Sequence, residues 1–310
     1  MKRILVLALY SVLGLSLLMA QEFSRYVDPR IGSEGLGRTF PGPCMPYGMA
    51  KPGPDAVSMP NAGWAPMPVP LKGFSQMHVS GTGGGQKYGN ILIQPFLDAG
   101  EIIQKRVDEK IALGYYACTF ENGIRTEITA SERCVFYRLD YGRKQKGKLL
   151  IDVATFLGID TIPDKRETQQ YVDSYVTCDG KYAVSGWSTV RGGWNNGGPY
   201  TVYFYLQSDV PLSNFDVPLS NSEVPLYNKV KESKTRLDVA FSESTVNLKI
   251  GISHISIAQA RRNIPSCGFD IQLKNLRKTW NGKLGKIEIA GTEKQKRMFY
   301  TALYHTMLMP

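Results

Sequence analysis

About ten short segments between residues 91 and 256 alternate apolar and polar side chains, and this repetition constrains the fold most strongly. In Ile124–Ala130 the alternation has a period of two, which places one face of the segment in a core and the other in water. Asn122-Gly123 and Asp179-Gly180 each separate two such segments, and both dipeptides favour tight hairpin turns. Many strands with hairpin spacing and almost no helix between them predict an antiparallel β-sandwich.

One predicted strand, Tyr200–Ser208, is apolar or aromatic on both faces, which is typical of a strand covered on both sides in a packed pair of sheets. All of the predicted strands are short and bounded by turn-forming residues. They cover residues 91–97, 114–120, 124–130, 133–141, 148–155, 171–178, 181–190, 200–208, 237–242 and 245–256.

The pattern becomes helical after residue 265. Apolar residues in Phe269–Leu284 recur three or four positions apart, which predicts a helix, and a short strand is predicted at residues 286–290. Thr292 followed by Gln295 is a capping-box pattern that opens a final helix. That helix is apolar on nearly all sides, which is typical of a helix inside a packed helical assembly. We therefore expect the chain to stop early, at the start of a second, helical domain.

The segment Tyr26–Asn90 follows neither period and is rich in glycine and proline. A long irregular segment in a globular domain is usually functional or disordered. Disorder does not fit, because the segment carries large aromatic groups that favour burial. We interpret it as ordered loops that shape a surface. These aromatic residues are Phe40, Tyr47, Trp64, Phe74 and Tyr88.

The N-terminus predicts export. Lys2 and Arg3 precede the apolar stretch Ile4–Met19, and Ala20 is a small residue at the end of it, as in a secretory signal peptide covering residues 1–20. A signal anchor that is not cleaved stays an alternative, since Leu18 is unfavourable three residues before the cut. We expect a periplasmic or extracellular protein.

Charge and cysteines exclude several classes of protein. Loss of Lys2 and Arg3 lowers the net charge by two, from +10 to +8, and the remaining positive residues are scattered. Basic clusters with interleaved aromatics, as in nucleic-acid-binding proteins, are absent from the sequence. Five cysteines leave at least one unpaired, and their spacing suits no metal site. We expect them to be small core residues.

Five segments, taken in order, resemble glycoside hydrolase family 92, the calcium-dependent exo-acting α-mannosidases. Together they span nearly the whole chain after the predicted signal peptide. They are VDPRIGSEGLGRTFPGPCMPYGMAKPGPD, GFSQMHVSGTGGGQKYGNILIQP, GYYACTFENGIRTEITASERCVFYRLDY, VNLKIGISHISIAQARRNI and WNGKLGKIEIAGTEKQKRMFYTALYHTMLMP.

The resemblance implies a galactose-mutarotase-like β-sandwich, linker helices and an (α/α)6 barrel, with the active site between the two domains. The barrel would supply the catalytic acid, the catalytic base and most ligands of a calcium cofactor. Residues 21–264 would be the sandwich, 265–292 a linker helix and strand, and 293–310 the start of the barrel. The implied partners are a mannose-containing glycan, such as an N-glycan, and the missing C-terminal domain. No membrane span is expected after signal cleavage.

The resemblance also directs attention to possible substrate-binding residues, while no catalytic or metal-binding residue is expected in this chain. Arg38, Phe40, Trp64 and His78 are the candidates, because aromatic faces stack on sugars and polar groups bind hydroxyls. A core role stays open for Phe40 and a structural role for His78. This sequence departs from the family pattern at Arg38, Trp64 and Gln76, where the family's sandwich faces the sugar.

Two further alternatives stay open. Asp28, Glu34 and Asp55 lie in or near the loops, but we expect them to form turns or surface groups rather than a catalytic carboxyl pair. The same aromatic loops would also serve a stand-alone carbohydrate-binding protein, which needs no such pair. A purely structural surface domain is a third option.

Overall fold

The computed structural model describes residues 22–35, 37–58, 62–81, 87–97, 101–142, 146–158, 168–193, 196–215 and 235–309. The predicted signal peptide lies outside these residues. Within the described ranges there are fourteen strands and three α-helices, with a short 3-10 helix at Phe23–Tyr26. No helix among them is long and apolar enough to span a bilayer.

The described strands lie between residues 53 and 253, and the α-helices follow them. In order the strands are β1 (Gly53–Ala56), β2 (Leu71–Ser75), β3 (Leu92–Phe96), β4 (Arg106–Ala112), β5 (Tyr115–Phe120), β6 (Arg125–Ala130), β7 (Cys134–Asp140), β8 (Lys148–Asp152), β9 (Gln169–Cys178), β10 (Ala183–Gly192), β11 (Tyr200–Ser208), β12 (Leu212–Phe215), β13 (Arg236–Phe241) and β14 (Thr245–Ser253). The helices are α1 (Ile257–Arg262), α2 (Phe269–Leu284) and α3 (Glu293–His305).

Two antiparallel sheets form the predicted sandwich, which is confirmed. One sheet has six strands in the order β1-β2-β3-β8-β13-β12, and the other has eight in the order β4-β5-β6-β7-β14-β11-β10-β9. Their inner faces enclose the main core, in which Phe74 of the smaller sheet meets Tyr116 and Tyr137 of the larger one edge to face. Aromatic pairs of this geometry add to the stability gained by burying their surface.

Both hairpin predictions are confirmed. β5 and β6 pair across Asn122-Gly123, and β9 and β10 pair across Asp179-Gly180. Gly123 and Gly180 adopt φ angles of 86° and 77°, the left-handed conformation that glycine accepts without steric cost. The ten predicted strands are all present, while β1, β2, β4 and β12 were not predicted.

The helices confirm part of the C-terminal prediction. α2 has the predicted bounds, and Thr292 and Gln295 form the capping box that opens α3. The strand predicted at residues 286–290 is wrong, because these residues form a turn and irregular chain. Ile287 is exposed there, and a strand without a neighbouring strand leaves its backbone groups unpaired.

A second correction concerns the end of β14, which stops at Ser253 rather than at 256. Ser256 instead caps α1, its hydroxyl accepting a hydrogen bond from the Gln259 backbone. The division of the chain into sandwich, linker and barrel start at residues 264 and 292 stays a prediction.

Candidate functional site in the loop segment

Residues 26–90, which we call the loop segment, include β1 and β2 and lie where the sandwich meets the helices. The Trp280 indole of α2 donates a hydrogen bond to the Cys44 carbonyl at 2.7 Å, and the Tyr47 amide donates to the Met307 carbonyl at 2.8 Å. Cys44 packs with Trp280 and Tyr304 in a second hydrophobic core. These contacts hold the described part of the loop segment against α2 and the C-terminal end of α3.

A buried cluster of His78, Asp55 and Phe40 lies at the centre of the loop segment. The His78 Nε2 and an Asp55 carboxyl oxygen are 2.8 Å apart, and Nδ1 lies 2.7 Å from the Lys51 carbonyl oxygen. The Phe40 ring stacks on the imidazole with ring centroids 4.9 Å apart. The exposed fractions of Phe40, Asp55 and His78 are 0%, 1% and 1%, so the cluster is closed to solvent.

Hydrogen bonding fixes the role of the imidazole. A backbone carbonyl only accepts, so Nδ1 of His78 carries a proton. A second proton lies between Nε2 and Asp55, on either the ring or the carboxyl. The Ser75 hydroxyl approaches the same Nε2 at 3.3 Å. In a Ser-His-Asp relay the hydroxyl and the carboxylate face opposite ring nitrogens, so this cluster holds the loops together and relays no proton.

Three glycines enclose the cluster. A methyl group at Gly53 would approach the Phe40 ring to 2.7 Å, and one at Gly42 would overlap it. At Gly63 it would lie 2.7 Å from both an Asp55 carboxyl oxygen and His78 Nε2. Only glycine fits at these points, which explains part of the glycine content of the segment.

We expect Gly63→Ala to destabilise the protein more than Gly123→Ala. Both positions have φ near 85°, so both variants pay about 1–2 kcal/mol for a left-handed alanine. A methyl group at Gly63 also overpacks the buried pair, at an added cost of about 1–3 kcal/mol. At Gly123 it meets no described atom within 4 Å. Urea unfolding measures both losses, and equal losses would show that the cluster tolerates a methyl group.

Trp64 lies beside this cluster, in the core between the sheets. Its side chain is 4% exposed, and its indole nitrogen lies 3.3 Å from each carboxyl oxygen of Glu109 on β4. The Tyr116 hydroxyl donates to the same Glu109 at 2.6 Å, and the Arg106 guanidinium pairs with it. This network anchors the proline-rich turn that carries Trp64 to the larger sheet.

The four candidate sugar-binding residues therefore occupy two kinds of position. Phe40 and His78 are in contact, and Trp64 adjoins them through Gly63, but all three are buried. Arg38 is half-exposed with φ of 57°, and its carbonyl accepts the Gly81 amide at 2.8 Å. Sugar contact by these residues stays a prediction.

Gln76, which departs from the family pattern, is also buried inside the protein. Its amide nitrogen donates to the carbonyls of Phe74 and Ile91 at 3.0 and 2.9 Å, and its oxygen accepts the Tyr137 hydroxyl at 2.9 Å. With both ends of the amide satisfied, Gln76 secures the loop that carries His78 to the core.

The loop carboxyl groups differ from the expectation at one position. Asp55 is neither a turn nor a surface group but a buried member of β1 bound to His78. Asp28 does form a turn: burial acts to raise its pKa, but hydrogen bonds and charge from Arg30 outweigh this and lower it. Glu34 is exposed.

Sequence reasoning missed a second polar cluster at the end of the loop segment. Asn90 is fully buried, and it accepts a hydrogen bond from the Tyr200 hydroxyl at 3.3 Å and donates to Ser188 at 3.4 Å. The Tyr88 ring meets the Tyr200 ring edge to face at 5.5 Å. Burial raises the pKa of Tyr200, so this hydroxyl stays protonated and donates. Asn90 and Tyr200 are 110 residues apart in the sequence, so no local pattern pointed to their contact.

The described part of the loop segment offers no pair of free carboxyl groups. Its carboxyl groups at Asp28 and Asp55 are held by Arg30 and His78. Across the described ranges, no three His, Cys, Asp or Glu side chains lie together as metal ligands would. Calcium also takes backbone and amide carbonyl oxygens as ligands, and the calcium cofactor stays a prediction.

Two family models match the chain in succession. The glycosyl hydrolase family 92 N-terminal domain matches residues 26–253, and the glycosyl hydrolase family 92 catalytic domain matches residues 257–310. A relative from Arthroderma benhamiae, described as an uncharacterized secreted glycosidase, is 25% identical over 318 residues, which cover 92% of this chain and 41% of the relative.

Solved structures share the fold. A family GH92 alpha-mannosidase from Bacteroides thetaiotaomicron in complex with mannoimidazole has a TM-score of 0.77 at 23% identity, covering 94% of this chain and 40% of that one. An inverting mannosidase of the same family and species has a TM-score of 0.70 at 22% identity, covering 93% and 40%. The chain thus spans about two fifths of the length of these relatives. The N-terminal domain model alone matches residues 26–253, which is most of the chain and includes the described strands. The chain therefore belongs to glycosyl hydrolase family 92.

Proposed function

We propose that the chain is the N-terminal, carbohydrate-contacting half of an exported α-mannosidase that hydrolyses mannose-containing glycans such as N-glycans. The observation that carries this proposal is the succession of the two family models. They adjoin between residues 253 and 257, where β14 ends and α1 begins. The sandwich and the first helices thus have the order of the two domains of the family.

The loop segment would form one wall of the sugar site. It is held against α2 and α3 by Trp280 and Tyr304, so helices that follow α3 would lie beside it. The buried cluster of His78, Asp55 and Phe40 would keep this wall rigid, since a preorganised site loses less conformational entropy on binding. Arg38, Tyr47 and Tyr88, which are half-exposed or exposed, would be the groups at its surface.

The catalytic chemistry would come from the (α/α)6 domain. Inverting hydrolysis needs an acid and a base about 6.5–9.5 Å apart on opposite faces of the sugar. We propose that both groups and most calcium ligands lie in that domain, and that calcium, when bound, polarises the sugar hydroxyls. Export through a cleaved signal peptide is part of the proposal, supported by the relative that is named as secreted.

We expect the purified chain alone to hydrolyse no aryl α-mannoside, with calcium added or removed by a chelator. Of the described loop carboxyl groups, Asp28 is engaged by Arg30 and Asp55 by His78, so Glu34 alone does not supply an acid-base pair. Release of the coloured aryl alcohol measures turnover. Activity above that of a heat-denatured sample would contradict the proposal that the catalytic groups lie in the (α/α)6 domain.

A stand-alone carbohydrate-binding protein is the second candidate. It is favoured by the contacts within this chain that hold the described part of the loop segment in place without another domain. Calorimetry with mannose and mannobiose distinguishes the two. Saturable heat from the isolated chain supports the stand-alone role, whereas no heat supports a wall that binds sugar only with its partner domain.

A further inference from the structure

The outer face of the eight-stranded sheet carries a row of three aromatic residues across neighbouring strands. Trp187 on β10 lies directly opposite Tyr175 on β9 and directly opposite Tyr203 on β11. We call Tyr175, Trp187 and Tyr203 the outer aromatic row. Three aromatic residues in one register row require explanation, because aromatic side chains are normally placed where they bury a large area.

The row faces away from the core. Residues next to it along the strands, Val176, Val202 and Phe204, all lie in the core between the sheets, and side chains alternate between faces along a strand. Tyr175 is 43% exposed, and Trp187 and Tyr203 are half-buried.

The row is also separate from the loop segment. Ser188, the residue after Trp187, points inward and contacts Asn90. The outer aromatic row and the loop segment therefore lie on opposite faces of the same sheet.

Hydroxyl groups and one carboxylate flank one side of the row. Thr189 and Thr201 are cross-strand neighbours whose hydroxyls are 2.8 Å apart, and both are half-buried. Asp173 lies opposite Thr189 on the other neighbouring strand and is exposed. On the other side of the row, Thr177 is half-buried and Ser185 opposite it is buried. Flat rings beside hydroxyls match a neutral sugar, whose ring presents C–H groups on its face and hydroxyls at its edge, and the Asp173 carboxylate would repel an acidic one.

The dimensions suit a chain of sugars rather than a single one. Neighbouring strands are about 4.8 Å apart, so three strands place the outer rings about 10 Å apart. Among the described strands β9 is the last of its sheet, so Tyr175 stands at the edge of the described part of that sheet.

We propose that the outer aromatic row binds an extended neutral glycan of at least two sugar units. The row is bordered along one side by exposed or half-buried polar groups, whereas the central part of a protein–protein interface is apolar, which favours a glycan over a second protein. This inference does not depend on the proposed hydrolase function, because it concerns binding by a different face of the sandwich.

Cross-strand aromatic neighbours also stabilise a sheet, so binding and stability must be measured separately. Affinity gel electrophoresis of the chain with soluble α-mannan, β-mannan, β-glucan and xylan measures binding, and urea unfolding measures stability. We expect at least one of these glycans to retard the chain. Tyr175→Ala and Trp187→Ala should weaken that binding by about tenfold or more.

Tyr182→Ala is the matched control, since Tyr182 lies on the same hairpin with 47% exposure but outside the row. It should leave binding unchanged. If Trp187→Ala unfolds the sheet, Tyr175→Ala at its edge still provides the test.

Three results would overturn the proposal: no retardation of the folded chain by any of the four glycans, equal retardation of the Tyr175→Ala variant, or equal weakening by Tyr182→Ala. Sedimentation analysis tests whether a second copy of the chain binds to the row instead, because it measures dimer formation. A dimer that Tyr175→Ala dissociates would also contradict glycan binding. Retardation of Tyr175→Ala equal to that of the unchanged chain would show that the glycan binds at another surface. It would not affect the proposed hydrolase function.

Discussion

Replacing Trp280 with alanine is expected to lower the free energy of unfolding by about 3–5 kcal/mol, the usual cost of removing a fully buried aromatic side chain. The indole is 0% exposed and packs against the Tyr304 ring at a tilt of 50°, with ring centroids 4.6 Å apart. Its loss also leaves the Cys44 carbonyl without the donor that holds it at 2.7 Å. Because Trp280 joins α2 to the loop segment, this variant should loosen the helices from the sandwich.

Urea unfolding followed by circular dichroism measures the effect. Lys278→Ala is the matched control, since Lys278 lies on the same helix two residues earlier and is exposed. A surface change of this kind shifts stability by about 0.5 kcal/mol or less. If the two variants unfold at the same urea concentration, the contact between α2 and the loop segment does not contribute as described.

The second large effect is expected for Asp55→Ala. Removing one partner of a buried hydrogen bond costs about 1–3 kcal/mol, and more where the partner is charged, because the group left behind keeps its desolvation cost without compensation. Here His78 would lose the carboxyl oxygen 2.8 Å from its Nε2 while staying 1% exposed. The loops around Phe40 depend on this pair, so they should become accessible to protease before the rest of the sandwich.

Asp270→Ala provides the comparison. Asp270 pairs with Arg138 at 2.7 Å, a shorter contact than that of Asp55, but its side chain is 79% exposed. Exposed pairs contribute about 1 kcal/mol or less. A loss for Asp55→Ala no larger than that for Asp270→Ala would mean that burial adds nothing to the His78 pair, contrary to the role assigned to it.

Local signals account for the parts of the fold that the sequence predicted. Alternation in Ile124–Ala130 and the turn at Asn122-Gly123 act over a few residues, and both are present in β5, β6 and their connection. Helical spacing in Phe269–Leu284 acts over one element, and α2 has those bounds. Such signals need no knowledge of distant contacts.

The strands of the loop segment lacked such signals. β1 contains Gly53 and Pro54, which disfavour strands, but it lies at the edge of its sheet, where proline is tolerated. The residues at 286–290 show the reverse case, since their alternation predicted a strand that has no neighbour to pair with. Whether each segment forms a strand depends on a neighbouring strand that pairs with it. A single sequence does not show which strands are neighbours.

The candidate site was predicted in outline only. The sequence directed attention to His78 and Phe40, but the partner Asp55 lies 23 residues from His78 and reaches it through the pairing of β1 with β2. Burial of Trp64 by Glu109 likewise depends on a contact across 45 residues. Residue types therefore suggested a binding surface, whereas the contacts show that Phe40, Asp55 and His78 form a closed cluster.

The central claim is that this chain forms one wall of a mannosidase site whose catalytic groups lie in an (α/α)6 domain. Joining residues 22–309 to the remaining (α/α)6 residues of a family 92 mannosidase, and assaying an aryl α-mannoside with calcium, tests it most directly. The account predicts turnover by the fusion and none by the chain alone. A fusion that folds, as judged by cooperative unfolding, yet releases no product would contradict it, as would turnover by the chain alone.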